Sequence, residues 1–251
     1  LHQRLGLEAS WLRGSECRRL EPGLTTSVAG GVEIPGEAEV DPRALLAALR
    51  SAVRAAGGEI REEAAAAIEV EDGGTRGVRL ERGGALAAER VLIAAGARSG
   101  GLLPEGAGEL PPVHPVKGEI LRLRAGTGEM PCEHIVVTQR VCVVPREDGE
   151  VVVGATSEDR GFDLRVTAGG VHELLREAYR VLPEIAELEL VECAAGLRPA
   201  TPDNAPVIGT TAIEGLLVAT GHHRNGILLA PFTADGIDAL LTGGEAPPAL
   251  A

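Results

Sequence analysis

Apolar positions in this chain recur with two periods, and the two alternate along the sequence. Leu45, Leu46, Leu49, Ala52 and Val53 fall on one face at helical spacing. Asp41 is placed to cap that helix, Pro42 suits its first turn and Gly57-Gly58 stops it. Val171 to Leu182 repeats the pattern through Leu174, Leu175, Ala178 and Leu182, and Pro183 ends it. A third helix is predicted from Gly226 to Leu241, irregular at Pro231 and stopped by Gly243-Gly244. The other period is that of strands. Val78 and Leu80 alternate with Arg79 and Glu81, between turns at Asp72-Gly73-Gly74 and Gly83-Gly84. Val91 to Gly96 and Gly215 to Thr220 read as buried strands. Glu119 to Leu123, Ile135 to Thr138, Val141 to Val144 and Val151 to Val153 read as a mostly antiparallel set. Strands are also expected at Glu59-Ile60, continuing less regularly through Ala64 to Val70, and at Leu188, Leu190 and Ala194. Leu5-Gly6-Leu7 and Val32-Glu33-Ile34 are short candidates in an otherwise loop-rich opening.

The order of these elements predicts an α/β chain, α+β overall. One part has the style of a Rossmann-like dinucleotide-binding domain, built from 38–103 and 200–243. The other is a mostly antiparallel substrate domain, built from 1–37 and 104–199, with a flexible tail at 244–251. Composition narrows the function. With 251 residues, 44% hydrophobic and 24% charged, the chain reads as globular. A net charge of −13 and only four aromatic residues argue against a nucleic-acid partner and an anionic membrane surface. No apolar run approaches the about 20 residues of a membrane span. Cys17, Cys132, Cys142 and Cys193 lack CxxC spacing and read as packing thiols of a cytoplasmic protein. The histidine spacing suggests no metal site.

Candidate chemistry concentrates near the end. Arg198, between Leu197 and Pro199 at a strand end, can grip a carboxylate through two parallel hydrogen bonds. A structural salt bridge is the equal alternative. From Thr220 to Leu228 a buried strand runs through Gly221 into polar residues, with Gly226 expected to open the helix. Unsatisfied N–H groups there would face an anionic ligand, or the segment is an ordinary strand-to-helix turn. His222 and His223 read more readily as packed or solvated than as acid–base groups. Lys117 reads as a surface or domain-junction residue, and Glu62-Glu63 as a solvated face.

Several stretches together resemble the D-amino-acid-oxidase-like flavoproteins, above all the glycine oxidases. They include Pro35-Gly36-Glu37 running into Val40-Asp41-Pro42, Val91 to Gly96, His114 to Glu119, and Val144-Pro145-Arg146. Val153 to Thr156, Gly196-Leu197-Arg198-Pro199 and Gly221 to Pro231 complete the set. The resemblance implies an FAD-binding fold and FAD-dependent oxidation of a small amino acid by oxygen, feeding thiamine thiazole synthesis. A sarcosine-oxidase-like enzyme, a D-amino-acid dehydrogenase and a non-catalytic remnant are the alternatives; a homo-oligomer is left open. It implies that Arg198 binds the substrate carboxylate. It places His222, His223, Arg224, Asn225, Gly226, Ile227 and Leu228 along the flavin, and Ala66 at a backbone contact to adenosine. Two departures stand out. No GxGxxG occurs in the 251 residues, so about a hundred preceding residues, and weak or no FAD binding by this chain alone, are expected. An active-site aromatic is expected near Cys142, and its absence puts substrate identity in question.

Overall fold

The computed structural model describes residues 6, 8–126 and 130–244. In chain order it forms β1 (Ser10–Arg13), α1 (Gly14–Leu20), β2 (Gly30–Glu33) and α2 (Pro42–Ala55). β3 (Ala65–Glu71), β4 (Gly74–Leu80), β5 (Ala85–Ala87) and β6 (Val91–Ile93) follow, then a 3₁₀ turn over Gly96–Leu102. Next come β7 (His114–Arg124), β8 (Val136–Val137), β9 (Cys142–Pro145), β10 (Glu150–Gly154), α3 (Ala168–Val181) and β11 (Glu189–Ala200). The chain closes through β12 (Val207–Thr210), β13 (Leu216–Thr220) and α4 (Ala230–Thr242). No helix among the described residues is long and apolar enough to cross a membrane.

These elements divide into two compact units. The first draws on Leu1–Val40, Lys117–Glu158 and Asp163–Gly196. Its main sheet has the order β11-β7-β10-β9-β8. Antiparallel register sets Val153 opposite Leu121 and Val143, and Val151 opposite Leu123. Period-two alternation therefore gathers these residues on one face. There they join Leu174, Ala178 and Leu182 in a core exposed by 3% or less. Each fully buried aliphatic side chain contributes about 1.5–3 kcal/mol.

The same unit contains polar groups whose burial the sequence pattern did not show. Lys117, expected at the surface or a domain junction, is fully buried. Its Nζ donates to Glu119 Oε1 and to the Arg165 carbonyl, both at 2.6 Å. A buried ammonium is tolerable only with such partners. Glu21 is also buried and accepts from the Glu133 N–H at 2.9 Å, pinning a loop onto the end of α1.

The second unit draws on Asp41–Val116, Asp159–Phe162 and Leu197–Ala251. It holds the antiparallel sheet β3-β4-β5 and the sheet β12-β13-β6, in which β13 and β6 are parallel. Leu216, Val218 and Ile93 pack with Ile68 on one side of the latter sheet, and Leu217 and Ala219 pack with Ile237 of α4 on the other. α2 is capped as expected, Asp41 Oδ1 accepting from the Arg43 N–H at 2.8 Å. Yet α2 buries none of its residues, and Leu46 and Leu49 of its apolar stripe are 55% and 54% exposed.

Several boundaries differ from the pattern. Glu59-Ile60 is not a strand, because β4 supplies ladder partners only as far as Ala65. β11 runs far beyond Ala194, and Pro199 is accommodated because β11 is an edge strand. α4 begins at Ala230, not Gly226. Pro231 lacks an N–H and fits a helix only in its first turn, so residues 226–229 form turns instead. β1 and α1 were not anticipated, and β2 ends before Ile34. Leu5, Leu7 and the tail from 245 lie outside the described residues.

Candidate functional site

Parallel pairing of Leu216 with Val91 through Val218 with Ile93 brings the carboxyl ends of β13 and β6 side by side. In open α/β sheets, ligands sit over such ends. The Thr220 hydroxyl donates to the Gly96 carbonyl at 2.9 Å, tying the two following loops together. Gly96 has φ 55°, and nothing lies within 4 Å of where a Cβ would stand. Gly221 has φ 77°, and a Cβ there would meet Thr201 Cγ2 at 2.7 Å. Only glycine satisfies both conditions at Gly221.

β11 delivers Arg198 to the same loop. The His223 N–H donates to the Pro199 carbonyl at 2.8 Å, fastening the residue after Arg198 to the segment after β13. His223 holds φ 46°, a left-handed conformation that costs a non-glycine residue about 1–3 kcal/mol. Burial, and then the charge of Arg224, lower the pKa of Arg198. Burial, then Arg198, Arg224 and His114, lower that of His223. Two guanidinium groups therefore act on one small region with the same sign. Such a region favours an anion and disfavours a further proton.

His222 has a different role. Its Nε2 lies 2.9 Å from Thr233 Oγ1. The single Thr233 hydroxyl proton is donated to the Leu229 carbonyl at 2.8 Å, so the oxygen is left to accept. The network thereby assigns the proton of His222 to Nε2. Burial holds its pKa below the usual range, and the imidazole latches the loop onto the first turns of α4. Arg224, Asn225, Gly226, Ile227 and Leu228 are exposed. Because α4 starts at Ala230, Gly226 to Leu228 do not present a helical first turn as expected; the Leu229 N–H is bound to the Asn225 carbonyl instead.

Ala66 lies on β3, in the other sheet of the unit. Ala65 pairs with Leu80 and Ala67 with Arg79, so Ala66 is the extra residue of a β-bulge. A bulge removes its residue from the ladder and re-aims its backbone. The structure thus brings Arg198, His223 and Arg224 together, makes His222 a latch, and leaves Ala66 on a separate element. Thr201, Thr220, Gly96 and His114 belong to the surroundings; Thr220, Gly96 and His114 entered the sequence reading only as ends of segments, and Thr201 not at all. Their only sequence signal was position at a strand end.

The sequence pattern of the FAD dependent oxidoreductase family matches residues 1–240. This chain belongs to that family. It is 37% identical over 249 residues to the bifunctional protein ThiO/ThiG of Nostoc sp., covering 96% of this chain and 36% of that protein. It is 38% identical over 232 residues to the glycine oxidase of Geobacillus kaustophilus, covering 91% of this chain and 60% of that one. The chain therefore spans between about a third and three fifths of these relatives. The crystal structure of the Geobacillus kaustophilus glycine oxidase superposes with a TM-score of 0.90 at 34% identity, covering 100% of this chain and 68% of that chain. The crystal structure of an iminodiacetate oxidase from Chelativorans sp. superposes at 0.87 with 29% identity.

The residues present fit part of the family's cofactor. The paired strand ends, the open space at Gly96 and the cationic group around Arg198 suit an anion-bearing ring and a carboxylate ligand. They do not supply a glycine-rich pyrophosphate cradle, since no GxGxxG occurs in the 251 residues.

Proposed function

We propose that this chain carries the substrate-side residues of an FAD-dependent amino-acid oxidase acting on glycine. The products are the imine or 2-oxo acid and hydrogen peroxide, with the imine available to thiamine thiazole synthesis. The observation that carries this reading is the pair of guanidinium groups, Arg198 and Arg224, acting together on His223 at the paired ends of β6 and β13. The relatives named glycine oxidase and ThiO support the substrate assignment.

FAD, when bound, supplies the acceptor for the hydride that leaves the substrate Cα. Everything else is positioning and electrostatics. Arg198 holds the substrate carboxylate in a two-pronged grip, fixing which face of the Cα is presented. The burial, and then the positive charges, that lower the pKa of His223 lower that of a substrate ammonium too, so the amine binds with a free lone pair. No side-chain base is then required. His222, bound to Thr233, keeps the loop in place.

Arg198→Ala in the flavin-loaded protein tests this. A hydrogen bond to a charged group is worth about 1.5–3 kcal/mol, so the KM for glycine should rise about 10- to 100-fold with flavin content unchanged. An unchanged KM would remove Arg198 from the site. A second reading is a bulkier amine such as iminodiacetate, supported by the likeness to the iminodiacetate oxidase structure. Peroxide yield with glycine, sarcosine, D-alanine and iminodiacetate separates the two.

A further inference from the structure

The chain contains two asparagines, Asn204 and Asn225, and both are exposed. Their surroundings differ at the atom that decides how long an asparagine lasts. An asparagine amide is lost from within the chain, when the backbone nitrogen of the next residue attacks its Cγ. That nitrogen must be free of hydrogen bonds, because it reacts as its anion. The residue that carries it must not crowd the approach with a Cβ, and nearby positive charge favours the anion.

Asn225 meets all three conditions. Neither the Gly226 N–H nor the Asn225 side chain has a hydrogen-bond partner among the described residues. Gly226 has no Cβ. Arg224 is the adjoining residue, and Arg198 acts on Arg224. Asn204 meets none of them. The Ala205 N–H donates to Asp203 Oδ1 at 2.9 Å, Ala205 has a Cβ, and the adjoining charge is the Asp203 carboxylate.

We infer that Asn225-Gly226 is a site of spontaneous hydrolytic deamidation, which changes both the charge and the chain path of the loop after β13. The Gly226 nitrogen forms a bond to Asn225 Cγ, the Cγ–Nδ2 bond breaks, and ammonia leaves with the proton that Gly226 gives up. Water is the co-reactant of the second step and opens the cyclic imide at either carbonyl. Attack at Cγ gives aspartate. Attack at the main-chain carbonyl gives isoaspartate, in which the chain runs through Cγ and the former carbonyl is a free carboxylate. Nothing is oxidised or reduced. Either product sets a negative charge beside Arg224. Isoaspartate also removes the carbonyl to which the Leu229 N–H donates at 2.9 Å, a bond that shapes the turn before α4. The inference concerns the loop itself and does not depend on the substrate.

The purified protein is kept in neutral buffer for weeks, and its peptides are followed by mass spectrometry with fragmentation that separates aspartate from isoaspartate. The Asn225 amide should be lost roughly tenfold or more faster than that of Asn204, with isoaspartate among the products. Gly226→Ala should slow the loss about tenfold. A Cβ there would meet only His222 Cβ, at 3.7 Å, so the variant keeps the loop. Hydrogen exchange at Leu229 should quicken as isoaspartate accumulates. Loss of the two amides at the same rate overturns the inference, as does a Gly226→Ala protein that loses the amide as fast as the parent. Isoaspartate with unchanged exchange at Leu229 overturns the change of chain path.

Discussion

Gly169 and Gly170 are neighbours in the first turn of α3, and replacing each with alanine should move stability in opposite directions. A Cβ on Gly170 would stand 2.0 Å from Glu119 Oε2 and 2.7 Å from Cδ, whereas nothing lies within 4 Å of a Cβ on Gly169. Glu119 cannot retreat freely. It is fully buried, and its Oε1 accepts from Lys117 Nζ at 2.6 Å, the Thr167 N–H at 3.0 Å and the Thr167 hydroxyl at 3.2 Å. Its Oε2, the atom that would be struck, has no hydrogen-bond partner among the described residues. Moving the carboxylate therefore breaks up a buried ion pair. Breaking such a pair costs about 3–5 kcal/mol, and the better helix propensity of alanine returns about 1 kcal/mol. Gly170→Ala should lose about 2–4 kcal/mol net. Gly169→Ala should gain up to about 1 kcal/mol. Urea unfolding followed by circular dichroism reads both. At a slope of about 2 kcal/mol/M, the Gly170→Ala midpoint should fall by roughly 1–2 M. A Gly170→Ala protein as stable as the parent would refute the idea that the Glu119 carboxylate is held rigidly.

Further outcomes follow from the titrating groups. His222 and His223 both have pKa values below the ordinary value of about 6.5, so below that pH the unfolded state binds more protons than the folded one. Stability should accordingly fall as pH drops through about 6.5, and His222→Gln and His223→Gln should each flatten that slope in urea titrations from pH 5 to 8. Cys132 is pushed up to about 12, first by burial and then by Glu21 and Cys142. At pH 8 its thiolate fraction is lowered on the order of 1,000-fold relative to a free cysteine, so iodoacetamide should label Cys132 only after unfolding. Labelling of Cys132 in the native protein at the rate of a free thiol would contradict that burial.

The sequence determined the local elements wherever side-chain chemistry acts over a single turn. The cap and proline at Asp41-Pro42 started α2, the apolar period of Leu174 and Ala178 produced α3, and Asp72-Gly73 turned β3 into β4. It also marked Arg198, late in a strand, and the Gly221 segment, just after a buried one, as candidates for the same chemistry. What it could not carry were interactions between distant positions. Lys117 looked like a surface residue because its partners Glu158 and Arg165 are remote in sequence, and only the folded sheet brings them within reach. The latch from His222 to Thr233 joins residues eleven apart and depends on how the turn at 222–229 folds back against α4. The positive field at the paired strand ends is likewise a tertiary product. Arg198, the neighbours His223 and Arg224, and His114 come from three separate segments, and Coulomb interactions depend on distance through space, not along the chain.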